Sequence, residues 1–326
     1  MHIGNLNIGG ILFLAPLAGV SNRPFRLLAK KYGADLCYTE MISADAIALN
    51  QPKTLALADI APNEHPIGLQ LFGSSPEIFA AAVKVSINLG ADLIDLNLGC
   101  PVKKVVKRNG GAALLKDVIL ATEIMSAAVE NSSLPVSIKM RTGWEANDEA
   151  FLEVARSAEK CGIAAITLHP RTRSAAFSGK SDWSKITQLK NEVNIPVIGN
   201  GDINTPEDAR EIISLTGCDA IMIGRAAMKN PHILTQIRNF LATGQETPDL
   251  SHSEKAELAL EHSRLMIERF GERGGTLQMR KHLAWYSRGF PDGASLRRQL
   301  NRIANYDDIY GLFSEFLTAN QTGEIP

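Results

Sequence analysis

LIDLNLGC, residues 93–100, is a run of mainly apolar residues that ends in a cysteine. Its hydrophobicity is solid rather than alternating, which is typical of a strand covered on both faces in a parallel sheet. The loop that follows, PVKKVVKRNGG (101–111), places four cations close to the thiol. This stretch therefore predicts a buried strand that delivers a cysteine to a basic loop.

Seven more apolar runs resemble this one, and helix-like segments separate several of them. Two such segments, 76–90 and 148–162, end at a glycine, which is a frequent helix stop. Eight strand–helix units over about 240 residues predict a (β/α)8 TIM barrel. The other runs are ILFLAPLAG (11–19), DLCYTEMI (35–42), IGLQLFG (67–73), VSIKMRTG (136–143), AITLHPRT (165–172), VIGNGDI (197–203) and AIMIGRAAM (220–228).

A doubly wound open sheet is the alternative fold, but it normally has fewer strands and binds a ligand at one switch point. In this sequence, polar or reactive side chains lie near the expected strand ends of many of the runs. A barrel brings all strand ends to one mouth, whereas an open sheet does not. These strand-end residues therefore favour the barrel. They are Gln70, Asn97, Cys100, Lys139, His169, Asn200, Asp202 and Arg225.

The pattern changes after residue 240, where ATGQETPDLSHSE resembles a polar linker that ends in a helix N-cap. Segments with helical periodicity follow at 253–271, 276–290, 294–306 and 308–320. The sequence thus predicts a catalytic barrel over residues 1–243 and a small helical domain over residues 244–326.

The composition is that of an ordinary globular protein, with a formal net charge of −1, 45% apolar and 21% charged residues. Four scattered cysteines without zinc-ligand spacing predict a reducing compartment and no metal site. The N-terminal residues match a signal peptide poorly, and no apolar run in the sequence approaches the length of a membrane span. We therefore expect a cytoplasmic monomer with no membrane or protein partner.

Positive charge is concentrated between residues 273 and 302, where seven cations accompany one anion, Asp292. The aromatic residues Trp285, Tyr286 and Phe290 lie within this segment. Charge runs are usually solvated helix faces, but clustered Lys and Arg also bind polyanions through phosphates. Both interpretations remain open at this point.

The candidate chemical groups each have an ordinary structural alternative. Cys100 is either a small core residue or a reactive thiol at the barrel mouth. Lys139 and His169 are either strand-end residues with local partners or parts of a cofactor cradle. Gly201 and Gly224 lie at the expected ends of the seventh and eighth strands, where barrels frequently bind phosphate, so Arg225 is a candidate phosphate partner.

Eight motifs together resemble the tRNA-dihydrouridine synthase family, most closely its bacterial B-type branch, over residues 10–305. The resemblance implies an FMN-bearing barrel, a C-terminal helical domain that holds tRNA, NADPH or NADH as the diffusible reductant, and 5,6-dihydrouridine as the product. The motifs are APLAGVSNRPFR, LQLFG, NLGCPVKKVVKRNGGAALL, IKMRTGW, HPRTRSAAFSG, IGNGDI, IGRAAMKNP and MRKHLAWY.

The resemblance also implies roles for individual residues. Cys100 matches the catalytic thiol of the family. The implied FMN contacts are Pro16, Leu17, Ala18, Gln70, Lys139, His169, Asn200, Gly201, Asp202, Gly224 and Arg225. We expect tRNA contacts from Asn97, Lys103, Lys104, Lys107, Arg108, Arg141, Arg171, Arg280, Lys281, Arg288, Arg297 and Arg298.

Several positions depart from the family pattern. Leu17 stands where methionine is common, Pro170 where glycine usually follows the histidine, and Phe177 where tyrosine is frequent. The run KNPHI (229–233) replaces a GNPWI-like run. These departures concern detailed ring contacts and the choice of uridine rather than the fold.

Two other functions fit parts of the sequence. A small-molecule FMN barrel enzyme similar to dihydroorotate dehydrogenase would share the fold, but it has little need for a basic helical appendage. A non-catalytic RNA-binding protein on a relic barrel would not need the set of flavin-site groups. Reduction of tRNA uridines is therefore the favoured function.

Overall fold

The structure is a computed structural model that describes residues 1–146 and 148–322, with side chains described as far as residue 317. It divides into two compact units, Met1–Gly224 and the chain from Arg225 onward. The change of pattern in the sequence predicted this division later, after residue 243. The difference arises because the short helix after Gly224 packs against the helices that follow it.

Within the described residues, eight parallel strands close into a barrel in the order β2–β1–β8–β7–β6–β5–β4–β3, with β2 and β3 also paired. The predicted TIM barrel is thus confirmed, and the open-sheet alternative is excluded. The barrel strands are β1 (Leu12–Leu14), β2 (Leu36–Tyr38), β3 (Ile67–Phe72), β4 (Leu93–Leu98), β5 (Val136–Arg141), β6 (Ala165–His169), β7 (Val197–Asn200) and β8 (Ala220–Ile223).

Helices connect the strands and continue into the second unit. The α-helices are α1 (Arg23–Lys31), α2 (Ala44–Ala48), α3 (Pro52–Leu57), α4 (Pro76–Asn88), α5 (Lys103–Val106), α6 (Val118–Glu130), α7 (Ala150–Lys160), α8 (Ser184–Glu192), α9 (Pro206–Thr216), α10 (Arg225–Lys229), α11 (Ile233–Thr243), α12 (His252–Tyr286), α13 (Gly293–Leu300) and α14 (Tyr306–Thr322). Short 3-10 helices lie at Pro62–Glu64 and Gly111–Lys116.

Local sequence explains where these helices begin and end, and α9 shows it most fully. Thr205 is its N-cap and forms a reciprocal capping box with Asp208, while Pro206 occupies the first turn. The helix ends at Gly217, which has the left-handed φ of 65° that a C-terminal glycine adopts readily. The chain therefore turns sharply from α9 into β8.

An N-terminal hairpin, His2–Ile3 paired with Leu6–Asn7, covers the amino-terminal end of the barrel. Ile3 and Ile8 are fully buried, and they pack with the first residues of several strands, such as Leu36 and Leu93. The apolar core thus closes one end of the barrel. The carboxyl ends of the strands form the open mouth, where barrel enzymes place their sites.

The second unit is helical, as predicted, and α12 is broken at Gly271, whose φ of 73° and ψ of 164° are not helical. Tyr286 and Phe290 are core residues, only 4% and 6% exposed, and the Tyr286 hydroxyl lies 3.0 Å from Nδ1 of the buried His262. These aromatic rings therefore stabilise the helical unit and are not an exposed surface for stacking bases. No helix among the described residues is long and apolar enough to span a bilayer.

Candidate active site

The barrel mouth brings together side chains from the ends of five neighbouring strands: Gln70, Asn97, Lys139, His169 and Asn200. Two pairs of them are hydrogen-bonded. The Asn97 amide donates to Oε1 of Gln70 at 2.8 Å, and the Lys139 ammonium donates to Oδ1 of Asn200 at 2.8 Å. The sequence separated these residues widely, and closure of the sheet makes them one polar site.

Cys100 lies just after β4 and is held by its backbone. Its N–H donates to Oδ1 of Asn97 at 2.9 Å, and its carbonyl accepts from Ala112 N at 3.1 Å. Gly111 has a left-handed φ of +59°, and a Cβ there would lie 2.8 Å from the Cys100 carbonyl oxygen. Glycine is therefore required at this position, because any side chain would push the loop away from the thiol.

The Cys100 thiol is half-buried, and its environment favours the protonated form. Burial raises its pKa above the ordinary thiol value, although a backbone hydrogen bond from Val102 and the positive charge of Arg141 oppose that shift. A raised pKa means that the thiol carries its proton at neutral pH. This state suits a proton donor, whereas a nucleophile would need the thiolate.

Lys139 places an ammonium group at the barrel mouth, and the protein stabilises the charge of this group only weakly. Burial lowers its pKa to about 8, with a further contribution from the charge of Arg141, while Asp95 raises it. Asn200 holds the ammonium, and the Asn200 amide in turn donates to the Met222 carbonyl at 2.7 Å. An anionic or electron-rich ligand beside Lys139 would therefore stabilise its charge.

The loops after β6 and β7 form a second cluster around Arg171. Its guanidinium donates to the Asp202 carboxylate at 2.7 Å and lies 3.1 Å from Nε2 of His169. Burial raises the pKa of Asp202, but hydrogen bonds from Ser181 and Arg171 outweigh it and lower the pKa overall. Gly201 has φ +120° and packs so closely on His169 that a Cβ would approach its ring to 2.8 Å.

The ends of β1 and β8 leave room beside the backbone. Pro16 and Leu17 are half-buried and Ala18 is exposed at the end of β1. Among the described residues, a Cβ added at Gly224 would meet Ala15 and Leu17 alone, at the ordinary distances of 3.7 and 3.9 Å. Protein packing does not require glycine there, so the open space suits close approach of a ligand to the backbone.

Comparison with known proteins agrees with this geometry. The family profile described as "Dihydrouridine synthase (Dus)" matches residues 13–320. The chain belongs to the dihydrouridine synthase family. The family predicted from the motifs is therefore confirmed.

Two relatives of this dihydrouridine synthase cover nearly the whole chain. The tRNA-dihydrouridine synthase B of Xanthomonas axonopodis pv. citri is 38% identical over 100% of this chain and 98% of its own length. The protein of the same name from Proteus vulgaris is 40% identical over 97% of this chain and 99% of its own length. The predicted resemblance to the B-type branch is thus confirmed.

Solved structures with the same fold are far more distant in sequence. A morphinone reductase mutant in complex with tetrahydroNAD is 14% identical, with a TM-score of 0.54, and the match covers 76% of this chain and 91% of that one. An old yellow enzyme homologue from Zymomonas mobilis is also 14% identical, with a TM-score of 0.56 and coverage of 77% and 93%. These likenesses concern the barrel fold alone.

The residues expected to contact tRNA differ in how far they are exposed in this dihydrouridine synthase. Seven cations are exposed to solvent, four of them in the loop and helix after Cys100 and three in the helical unit; they are Lys103, Lys104, Lys107, Arg108, Arg288, Arg297 and Arg298. Lys281 is half-buried. The remaining residues of the expected set are engaged within the protein.

Arg141 and Arg171 are among those engaged residues, with only 3% and 5% of their surface exposed. The Arg141 guanidinium donates to the carbonyls of Gly99, Thr172 and Ala176. It therefore joins the Cys100 loop to the loop after β6. Both arginines hold loops together through several of their donors, although Nε of Arg171 has no hydrogen-bond partner among the described residues.

Asn97 and Arg280 are engaged in the same way. Asn97 is 9% exposed and its amide oxygen accepts from the Gly99 and Cys100 N–H groups. Arg280 is half-buried and donates to the Ile303 carbonyl at 2.7 Å. Sequence alone did not separate these residues from the exposed cations, because position in a motif does not report burial.

Two buried polar residues next to the site, Asp95 and Ser137, were not predicted from the sequence. Both are 1% exposed inside the barrel, and the Ser137 hydroxyl donates to Oδ1 of Asp95 at 2.6 Å. A signal was present, because an aspartate inside the apolar run LIDLNL must find polar partners when it is buried. One of these partners is Ser137, which lies in the next strand, VSIKMR (136–141).

Proposed function

We propose that this dihydrouridine synthase reduces the C5=C6 bond of specific tRNA uridines, with FMN as its cofactor, NADPH or NADH as the reductant, and Cys100 as the proton donor. The observation that supports this most directly is the Cys100 thiol, held by its backbone at the same barrel mouth as the Lys139 ammonium, in surroundings that raise the thiol pKa by burial. The barrel over residues 1–243 would carry the reaction, and the helical region over 244–326 would hold tRNA.

The residues at the mouth fit FMN. The Lys139 ammonium donates to Asn200, and because an ammonium carries three N–H groups it can donate to a ligand as well. Gly224 offers backbone approach near the eighth strand, where barrels commonly bind phosphate. Pro16, Leu17, Ala18, Gln70, His169, Asn200, Gly201, Asp202 and Arg225 complete the proposed FMN-binding set.

When bound and reduced, FMN supplies a hydride to C6 of the uracil ring. Lys139 would stabilise negative charge on the ring system beside it. Cys100 would donate its proton to C5, and the raised thiol pKa keeps that proton available at neutral pH. The protein thus provides the charge and the acid that the addition needs.

The target uridine has to leave its base stack, which costs a few kcal/mol. Contacts to RNA phosphates can offset this cost. The exposed cations of the Cys100 loop, Lys103 to Arg108, lie beside the thiol in sequence and are well placed for this role. Arg288, Arg297 and Arg298 are the exposed cations that we propose as the tRNA contacts of the helical region, together with the half-buried Lys281.

The function can be tested by mapping dihydrouridine in tRNA from a strain that lacks the gene, with and without the gene restored. We expect specific positions to lose the modification and to regain it on restoration. Turnover of orotate instead of tRNA would support the small-molecule enzyme. A purified protein without flavin absorbance would support the non-catalytic alternative.

Substitution of Gly224 by alanine should weaken FMN binding without harming the fold. The added Cβ meets no described protein atom closer than 3.7 Å, so the protein tolerates it, whereas a ligand against the backbone would be displaced. The measurement is the FMN dissociation constant by fluorescence, with thermal unfolding as the control. Unchanged FMN affinity in Gly224→Ala would remove Gly224 from the cofactor site.

Substitution of Arg288, Arg297 and Arg298 together by alanine should weaken tRNA binding and reduce its dependence on salt. Each lost phosphate contact should flatten the slope of log affinity against log salt by about one unit. Arg280→Ala is the matched control, because Arg280 donates to the Ile303 carbonyl and should affect stability more than the salt slope.

FMN content should remain normal in the triple variant. If the triple variant binds tRNA with an unchanged affinity and an unchanged salt slope, these arginines only solvate the helices. The RNA would then be held by the barrel and the Lys103 to Arg108 loop.

A further inference from the structure

Asp95 is a carboxylate in the middle of β4 with only 1% of its surface exposed. Both of its oxygens have partners: Oδ2 accepts from the Gln70 amide nitrogen at 2.6 Å, and Oδ1 accepts from the Ser137 hydroxyl at 2.6 Å. The cost of burying this polar group is offset only through such bonds. The proposed chemistry gives Asp95 no role of its own.

The bond to Gln70 is the first link of a chain that ends at the catalytic loop. Gln70 Oε1 accepts from the Asn97 amide nitrogen at 2.8 Å. Asn97 Oδ1 then accepts from the backbone N–H groups of Gly99 and Cys100, at 3.2 and 2.9 Å. Three buried side chains thus connect the barrel interior to the backbone of Cys100.

The groups at the two ends of this hydrogen-bond chain determine the orientation of both side-chain amides. A backbone N–H can only donate, so Asn97 must present its oxygen to the loop and its nitrogen to Gln70. An ionised carboxylate can only accept, so Gln70 must present its nitrogen to Asp95 and its oxygen to Asn97. The two requirements agree, and each amide has a single satisfactory orientation.

We propose that Asp95 is a positioning residue that holds the Cys100 loop by fixing the orientation of the Gln70 and Asn97 amides. This inference rests on the proposed role of Cys100 as the proton donor. Without an acceptor at position 95, the Gln70 amide can rotate and present its nitrogen to Asn97. The Asn97 nitrogen would then face the Gly99 and Cys100 N–H groups, and donors facing donors would release the loop.

The charge state of Asp95 is consistent with this role. Burial raises its pKa to about 6, while hydrogen bonds from Gln70 and Ser137 and the charge of Lys139 oppose the shift. The carboxylate is therefore mainly ionised at neutral pH and accepts at both oxygens. Below that pKa, a proton on Oδ1 could be shared with the Ser137 hydroxyl, and Oδ2 would still accept from Gln70.

Three variants separate the acceptor role of Asp95 from a general effect on packing. Asp95→Leu removes the acceptor, Asp95→Asn keeps an oxygen that can accept from Gln70, and Ser137→Ala removes the other hydrogen bond to the same carboxylate. The first readout is the rate at which an alkylating reagent modifies the Cys100 thiol, followed by mass spectrometry. The second is single-turnover dihydrouridine formation, compared with flavin reduction by NADPH.

In Asp95→Leu we expect faster alkylation of Cys100 and a loss of uridine reduction of about tenfold to a hundredfold, as misplacement by about 1 Å can cause. Flavin reduction should fall much less than uridine reduction, because it does not use Cys100, although Gln70 is also a proposed FMN contact. Asp95→Asn and Ser137→Ala should both resemble the unmodified enzyme. If Asp95→Asn is as damaging as Asp95→Leu, the charge rather than the acceptor matters and the proposal is overturned.

A double-mutant cycle with Asn97→Ala tests whether Asp95 acts through the amides. We expect Asp95→Leu to cause no further loss once Asn97 is removed, since the link to the loop is already broken. Losses that simply add would overturn the proposal. Asp95→Ala removes the same acceptor without adding volume and replaces Asp95→Leu if the larger side chain prevents folding.

The alkylation readout also keeps this inference separate from the proposed function. If Cys100 proves not to be the acid, activity no longer reports on its position, but the accessibility of its thiol still does. Unchanged alkylation of Cys100 in both Asp95→Leu and Asp95→Ala would overturn the positioning role, whatever the identity of the acid.

Discussion

Cys100→Ala should lose most uridine reduction while the enzyme still binds FMN and oxidises NADPH. The thiol is the proposed acid for C5, and general acid–base groups typically contribute about 10² to 10⁴-fold to a rate. The loop should keep its shape without the sulfur, because Asn97 and Ala112 hold the Cys100 backbone. The measurement is single-turnover dihydrouridine formation on tRNA with prereduced enzyme.

The pH dependence gives a second signature of the same group. A general acid works in its protonated form, and burial raises the pKa of Cys100. Deprotonation of Lys139, whose pKa is about 8, would give a separate fall that persists in Cys100→Ala. The part of the rate that depends on Cys100 should instead stay level through neutral pH and fall only above the ordinary thiol range. In Cys100→Ala that fall should disappear along with most of the rate.

Cys161→Ala is a suitable control, because its half-buried thiol lies at the end of α7, next to Ser126 on α6. It should retain full activity. Dihydrouridine formation at nearly the unmodified rate in Cys100→Ala would falsify the assignment of the acid. Another group at the mouth would then have to supply the proton.

Arg26→Met should lower the free energy of unfolding by about 3–5 kcal/mol, the usual cost of removing one partner from a buried ion pair. Arg26 on α1 and Glu64 are both fully buried and joined by two bonds, of 2.6 and 3.0 Å. The same guanidinium also donates to the carbonyls of Ser21 and Asp59. Its loss leaves the Glu64 carboxylate buried without its counter-charge.

Arg23→Met on the same helix is the matched control. Arg23 pairs with Asp59 at 3.0 Å, but both side chains are 29% exposed, and such pairs contribute about 1 kcal/mol or less. The measurement is the urea unfolding transition of each variant. If Arg26→Met is no more destabilising than Arg23→Met, the buried pair does not stabilise this part of the barrel. The double variant Arg26→Met with Glu64→Gln should recover part of the loss.

Arg26 also shows that position in a motif does not report burial. It ends the motif APLAGVSNRPFR, whose first residues lie at the barrel mouth, yet it is one of the largest fully buried side chains. Arg141 and Arg171 were expected to contact tRNA for the same reason, and their guanidinium groups are occupied by carbonyls and by Asp202. A sequence records the charge of an arginine but not the partners that surround it.

The barrel could be predicted from the sequence, because eight solid apolar runs indicate a parallel sheet covered on both faces, and the polar residues at many of their ends favour a closed barrel over an open sheet. The sequence also determined the family and the position of Cys100, since these depend on the order and spacing of motifs along the chain. Both properties are local or periodic, so they can be recognised before the chain is folded.

Which polar residues act together depends on the tertiary structure and could not be predicted from the sequence. Asp95, Gln70 and Asn97 lie on two neighbouring strands, and Lys139 and Asn200 are separated by another strand, so their hydrogen bonds exist only once the strands pair and the sheet curves. Burial, which raises the pKa of Cys100 and lowers that of Lys139, likewise depends on groups far away in sequence. Desolvation and hydrogen-bond orientation are properties of the assembled mouth, and this is why the sequence could name the chemical groups but not their states.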